Sequence, residues 1–204
     1  MFILTNNLLK RLVLLLLVLM ASSCVTTGEK GDNEETRDIE IREEYGVDED
    51  ISQKFKQAVQ LIKEEKYKDA VTLLEEVTKR SKKHSAPYVN LGIVYLKLGD
   101  VEKSEENFLV ALKVNPDHPV TNNELGIVYR KSGRFKEAKK LYEHIIKKYP
   151  YFLPARKNIG ILCDLFMQDL TCAIEHYDAY LKIKPDDEKV QLWLKDLQRR
   201  EGVK

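Results

Sequence analysis

The sequence predicts an all-α protein made of four stacked helical hairpins and a closing C-terminal helix. Of its 204 residues, 33% are charged and 43% are hydrophobic, and only nine are Gly and six are Pro, a balance typical of helix-rich chains. Two stretches are similar at a fixed spacing of 34 residues. Within each stretch the apolar residues recur with the 3.6-residue period of a helix, which favours paired amphipathic helices.

The first 23 residues predict an export signal. Lys10 and Arg11 precede a nine-residue apolar run, 12–20, which is shorter than the ~20 residues that a membrane-spanning helix needs. Ala-Ser-Ser-Cys follows at 21–24 and resembles the bacterial lipobox, in which the Cys is acylated, with palmitate among the acyl chains, and becomes the first residue of the mature protein. The resemblance implies a lipid on Cys24. Ordinary secretion with cleavage near Ala21, or retention of the apolar run as an anchor, stays open.

Residues 24–50 predict a flexible acidic tether after the lipidated Cys. Residues 25–50 hold eleven acidic and three basic side chains, a net charge of −8. So polar a segment buries too little apolar surface to offset its ordering entropy. Residues 51–204 carry +7 without the clustering of basic residues that nucleic-acid binding requires, so no nucleic-acid partner is expected.

Two central stretches carry the repeat. Leu-Gly-x-x-Tyr at 91–95 and 125–129 begins the first helix pattern, and a Gly, a small residue, an aromatic residue and a Pro follow at equal offsets in both copies. The copies are Leu91, Gly92, Tyr95, Gly99, Ser104, Phe108, Ala111, Pro116 and Leu125, Gly126, Tyr129, Gly133, Ala138, Tyr142, Ile145, Pro150. This pattern resembles the tetratricopeptide repeat (TPR). The resemblance implies a right-handed α-solenoid whose groove is lined by the first helix of each repeat.

Flanking copies extend the repeats to 51–187. The four repeats span 51–84, 85–118, 119–152 and 153–187, and position n of a repeat is counted below from its first residue. The first copy lacks the Gly at position 15 and the Pro at position 32, and the fourth has one inserted residue near Met167. Residues 188–204 predict a capping helix and tail, because Val190, Trp193, Leu194 and Leu197 share one helix face.

The resemblance also implies where a partner binds, because first-helix positions 2, 5, 6, 9, 12 and 13 line the groove in this family. Position 9 is apolar in all four repeats, and position 13 is Lys63, Lys97 and Lys131 in the first three. An apolar position 9 also suits packing between repeats, and both interpretations stay open. The asparagines are expected to bond a peptide backbone. The expected groove residues are Phe55, Val59, Val89, Asn90, Ile93, Lys97, Asn123, Ile127, Lys131, Lys157, Asn158 and Ile161.

No pattern for catalysis or cofactor binding is present in the sequence. It contains no G-x-x-x-x-G-K-[ST] phosphate loop and no H-E-x-x-H pair, and its four His residues are never spaced i, i+4. We therefore expect no enzyme activity, no cofactor and no metal site.

Cys163 and Cys172 lie on opposite arms of the last hairpin. An exported chain can form a disulfide between them. Cys172 precedes the small residue of its helix and is expected to face outward, however, and disulfide geometry is strict. A bridge and a reduced, buried Cys163 both stay open.

Together these features predict a non-enzymatic scaffold that is lipid-anchored in the bacterial envelope and binds a peptide or helix of an envelope protein. Lipoproteins with such repeats include pilotins and factors for secretion, motility, TonB-linked systems and cell-wall assembly. Val25, where inner-membrane lipoproteins have Asp, favours the outer membrane, facing the periplasm. The alternative is a homo-oligomeric structural protein of the envelope with no client peptide.

Overall fold

The computed structural model describes residues 48–202, in which nine α-helices and no strand occur. The predicted signal peptide, Cys24 and the tether up to residue 47 lie outside the described residues. The four hairpins are α1 (Glu49–Lys63) and α2 (Tyr67–Arg80), α3 (Ala86–Leu98) and α4 (Val101–Val114), α5 (Pro119–Lys131) and α6 (Phe135–Lys148), and α7 (Leu153–Leu162) and α8 (Leu170–Leu181); α9 (Glu188–Gly202) follows.

Each first helix packs against the second helix of its own repeat, and each second helix packs against the first helix of the next. Successive first helices also contact one another, and α9 covers α8. This arrangement confirms the predicted α-solenoid of four hairpins and a capping helix.

Carboxylates begin several of the helices. Asp100 accepts a hydrogen bond from the Lys103 amide at 3.0 Å, and satisfies one of the free N–H groups of α4. Asp48 accepts from the Asp50 amide at 3.2 Å and pairs with Arg80 at the end of α2. Residues 48–50, which the sequence assigns to the tether, therefore belong to the first hairpin.

A small residue faces a large one inside every hairpin. A methyl group on Gly92 would lie 2.5 Å from the ring of Phe108, and one on Gly126 would lie 2.4 Å from the ring of Tyr142. Gly160 and Tyr177 repeat the arrangement in the fourth hairpin. In the first hairpin, Ala58 and Leu74 occupy the equivalent positions, and both are fully buried. The alanine at position 8 of the first repeat, where the other three repeats have glycine, is thus matched by a smaller partner.

A left-handed residue reverses the chain between the helices of every hairpin. Gly99 and Gly133 have φ of 84° and 75°, and Glu65 takes φ of 59° in the first repeat although it is not glycine. In the fourth hairpin, α7 ends in a π-helical turn, Cys163–Met167, and Gln168 has φ of 55°. The Asp169 amide donates to the Cys163 carbonyl at 2.9 Å. This wider turn takes up the residue inserted in the fourth repeat.

Asp187 joins the capping helix to the last hairpin. Its carboxylate accepts hydrogen bonds from the Lys157 ammonium at 2.7 Å, the Tyr180 hydroxyl at 2.8 Å and the Val190 amide at 3.2 Å. Burial by itself would raise the pKa of Asp187, but these three donors outweigh it and hold the pKa at about 2. The predicted packing role of Trp193 is confirmed by its ring, whose centroid lies 5.6 Å from that of Tyr177.

Substitution of Gly126 by Ala is expected to lower the free energy of unfolding by about 1–3 kcal/mol, because the added methyl group overlaps the Tyr142 ring. Adding Tyr142→Leu recreates the Ala–Leu pair of the first hairpin, so the double variant should lose less than the sum of the two single losses. Urea unfolding measures all three variants. Gly202→Ala, which meets no atom within 4 Å, is the control, and additive losses would contradict the proposed contact.

Asp187→Asn is expected to destabilise the protein at neutral pH and to have little effect near pH 2. The folded-state pKa lies below its ordinary value of 3.8, so folding favours the ionised form. Its contribution is complete above the ordinary value and is lost as the pH falls toward about 2. Urea unfolding at several pH values measures this difference, with the exposed neighbour Asp186→Asn as control. An equal loss for Asp187→Asn at every pH would mean that the charge is not responsible.

Candidate protein-binding groove

A pocket of about 520 Å³ opens between the first helices of the first three repeats. It lies beside the C-terminal end of α1, along one face of α3 from Asn90 to Lys97, and beside the N-terminal half of α5. Apolar side chains form most of its wall, and charged groups of both signs stand among them. The lining residues are Val59, Ile62, Lys63, Glu65, Tyr67, Asn90, Ile93, Lys97, Val120 and Glu124.

Four of the predicted groove residues meet in this pocket: Val59, Asn90, Ile93 and Lys97. Val59 and Ile93 are partly exposed and also pack against the buried cores of their repeats. Both interpretations of position 9 therefore apply to these two residues. Their inner atoms support the hairpin, and their outer atoms form the apolar pocket wall.

Glu124 is a charged pocket residue that the sequence reasoning missed. It accepts a hydrogen bond from the Asn123 amide at 3.0 Å. Burial raises the pKa of the Glu124 carboxyl, and the Asn123 hydrogen bond and the charges of Lys97 and Arg130 offset only part of that effect. Val120 and Glu124 occupy positions 2 and 6 of the third repeat, so the family pattern itself contained the signal for both.

Position 5 does not face the groove, and the prediction of Phe55 and Val89 as groove residues is wrong. Their side chains are 3% and 0% exposed. Phe55 lies in one core cluster with α3 residues, and Val89 lies in another with α5 residues. In each case position 5 packs against the next repeat, which removes it from solvent.

Asn123 and Lys157, at position 5 of the last two repeats, also contact neighbouring parts of the protein. Asn123 accepts a hydrogen bond from Asn158 of α7 at 2.9 Å. Lys157 pairs with Asp187 at 2.7 Å and lies near the rings of Tyr180 and Trp193. Asn123 thus joins the third repeat to the fourth, and Lys157 joins the first helix of the fourth repeat to the end of that repeat and to the capping helix.

The asparagines bond within the protein, which corrects their expected role as ligands for a peptide backbone. The Asn90 amide donates to the Ala86 carbonyl at 2.9 Å, and only 5% of the residue is exposed. Asn123 and Asn158 bond to each other. Asn90 borders the pocket, but its side-chain amide already donates a hydrogen bond to the backbone of the preceding turn of α3.

The remaining predicted groove residues lie further along the first helices and outside this pocket. Ile127 and Ile161 are partly exposed, and Lys131 is exposed at the end of α5. At the corresponding place after α7, the exposed side chains are Leu165 and Phe166. The Phe166 ring lies 5.3 Å from that of Phe135, and the Arg130 guanidinium lies 5.6 Å from its centroid.

Cys163 and Cys172 form a disulfide, with their Cα atoms 5.9 Å apart. The bridge joins the π-helical turn to the first turn of α8. Cys172 is partly buried, so the expectation that it faces outward is wrong, because the inserted residue widens this turn. Within residues 48–202, the one group with three metal-type ligands is this cysteine pair and Asp169. Both sulfurs belong to the disulfide, and Asp169 accepts from the Cys172 amide at the start of α8.

No helix among residues 48–202 has the length and apolar character needed to cross a bilayer.

Residues 83–150 match the family model of the tetratricopeptide repeat. They cover the second and third repeats, the two that carry nearly every signature residue. Tetratricopeptide repeats mediate protein–protein interactions, so this match and the solenoid fold imply a protein partner.

Two solved structures and one curated protein place this fold among known proteins. MamA of Desulfovibrio magneticus RS-1 has a TM-score of 0.67 at 21% identity, over 74% of this chain and 85% of that one. YrrB, described as a TPR protein with an unusual peptide-binding site, has a TM-score of 0.62 at 19% identity, over 72% and 74%.

The curated protein is the UDP-N-acetylglucosamine–peptide N-acetylglucosaminyltransferase SPINDLY of Solanum lycopersicum. It is 33% identical over 97 residues, which are 48% of this chain. The chain spans only 10% of that enzyme's length.

Reduction of the disulfide is expected to lower the free energy of unfolding by about 2–3 kcal/mol, because the bridge limits the unfolded chain over a short loop. Thermal unfolding with and without dithiothreitol measures the change. Cys172→Ala should have the lower midpoint of the reduced protein and should not respond to the reductant. A wild-type midpoint that is unchanged after thiol titration has shown full reduction would contradict this expectation.

Proposed function

We propose that the chain is a scaffold, anchored by a lipid on Cys24 in the bacterial envelope, whose first-helix groove binds a peptide or helix of a partner protein. The observation that carries the proposal is the pocket of the first three repeats. It offers apolar side chains from three helices, with two lysines and two glutamates among them. A peptide with apolar anchor residues suits such a surface.

The pocket favours a partner with apolar anchors over a purely charged one. Val59, Ile62, Ile93 and Val120 come from three different repeats, so a bound segment buries apolar surface against all three at once. Lys63 and Lys97 lie one repeat apart at the same helix position, which suits an extended or helical segment that follows the stack. The peptide-binding site named for YrrB gives a precedent within this fold.

Ile93→Asp and Lys97→Glu are expected to reduce capture of the partner from detergent-solubilised envelopes by about tenfold or more, equal to about 1.4 kcal/mol of binding free energy. The first places a charge in the apolar wall and the second reverses the charge at the edge. Quantitative mass spectrometry of the captured proteins is the measurement.

Leu109→Asp and Lys113→Glu are matched controls, since both residues are exposed on α4 and neither lines the pocket. Circular dichroism establishes that each variant keeps its helical content. Equal capture by folded groove variants and controls would rule out this groove as the binding site.

The lipid anchor has its own test. Metabolic labelling with an alkyne-tagged fatty acid should label the wild-type chain, and Cys24→Ala should abolish the label and release the protein from the membrane fraction. A labelled Cys24→Ala variant, or one that stays in the membrane, would disprove anchoring at this residue.

A homo-oligomeric structural role is the second candidate, because Leu165 and Leu192 are 66% and 68% exposed at the C-terminal end of the repeats. Light scattering of the exported chain separates the two functions. A stable oligomer that Leu165→Asp dissociates, while Ile93→Asp does not, would favour the structural role.

A further inference from the structure

We propose that Glu124 receives a Lys or Arg side chain of the bound partner, so that the groove selects segments in which a basic residue stands beside an apolar anchor residue. The inference rests on the proposed binding function of the groove and adds the chemistry of its partner. Glu124 lies on α5, one helical turn after Val120, and both residues line the pocket.

Glu124 is the least exposed of the four charged residues that line the pocket. Lys63, Glu65 and Lys97 are exposed, whereas Glu124 is partly buried. A cation bound at Glu65 gains little, because water solvates both members of an exposed pair. A cation bound at Glu124 meets a charge that has already lost part of its water, so the attraction between the two is stronger.

The Glu124 carboxylate has no cationic partner in the part of the chain that the structure describes. The Asn123 amide donates a hydrogen bond to one of its two oxygens at 3.0 Å, and Asn123 itself accepts from Asn158 at 2.9 Å. Lys97 and Arg130 form no ion pair with the carboxylate, and their charges offset only part of the burial that raises its pKa. A buried charge without a counter-ion costs free energy, and a basic side chain of the partner removes that cost.

The apolar wall beside Glu124 favours a long cationic side chain. Val120 shares the helix face of Glu124, and Ile93 of α3 lines the same pocket. The methylene stem of a Lys or Arg side chain packs on apolar groups while its charged end reaches a carboxylate. The exposed Lys63 and Lys97 repel further cations, so the pocket favours a single basic residue over a basic run.

A phage-displayed library of random linear peptides, selected on the full chain in detergent, tests the inference. Peptides that also bind Ile93→Asp are discarded, so that those retained depend on the pocket. They should be enriched in Lys or Arg beside an apolar residue. Selection on Glu124→Lys should replace that enrichment by Asp or Glu at the same place in the peptide, and selection on the control Glu65→Lys should not.

Affinities of one selected peptide, from fluorescence anisotropy, measure the pair directly. Glu124→Gln keeps an acceptor for the Asn123 amide and should weaken binding by about tenfold or more, because a hydrogen bond to a charged group is lost. Glu65→Gln should leave the affinity nearly unchanged. Replacement of the basic residue of the peptide by norleucine should weaken binding to the wild type and not to Glu124→Gln.

Thermal unfolding separates recognition from a structural role of Glu124. Burial raises the pKa of this carboxyl, so its ionised form opposes folding at neutral pH. Glu124→Gln should therefore keep or raise the unfolding midpoint of the free protein at neutral pH. A lower midpoint would mean that the carboxylate supports the fold, and would overturn the inference.

The outcomes distinguish this inference from the proposed binding function. Pocket-dependent peptides without an enriched basic residue, or equal affinities for the wild type and Glu124→Gln, overturn the inference alone and leave the binding groove standing. A selection that yields no peptide dependent on Ile93 counts against the groove itself and overturns both.

Discussion

The close approach of the two helices in each hairpin is the contact on which the rest of the structure depends. At position 8 a glycine, or alanine with a smaller partner, lets the second helix place a ring or Leu74 directly against the first-helix backbone. Phe108, Tyr142 and Tyr177 are almost fully buried there. Burial of such a side chain is worth about 1.5–3 kcal/mol. The contact also fixes the rotation of each first helix, so it decides which residues face the groove.

Once that rotation is set, position 5 of each first helix packs within the protein and position 9 faces the groove. Position 5 is directed at the next repeat in the first three copies, as an apolar contact for Phe55 and Val89 and as a polar one for Asn123. In the fourth copy, Lys157 is directed at Asp187 and the capping helix instead. Position 9, one turn later, reaches the groove edge. The chemistry of position 5 changes from apolar to polar along the stack, while its geometry does not. The solenoid therefore accepts different residues at position 5, provided that the residue contacted by position 5 changes to match.

The sequence predicts the fold well because every hairpin uses the same close contact between its two helices. The spacing of the Gly, small and aromatic residues indicates that contact directly. It predicts the groove less well. Whether position 5 faces a partner or the next repeat depends on a rotation of a fraction of a turn, and the helical period does not resolve it. The Cys163–Cys172 bridge depends on how one inserted residue widens a turn. The family pattern could have predicted Glu124 as a groove residue, since it occupies a groove position. Its acidic side chain, however, was not distinguished from the solvated charges on the outer helix faces.

The fourth repeat differs from the first three in the side chains at its groove positions. Its position 5 residue, Lys157, is held by Asp187 and by aromatic rings of the last hairpin and the cap, and its position 13 is Leu165 instead of lysine. The basic edge of the groove therefore ends with the third repeat, and the pocket lies at the first three.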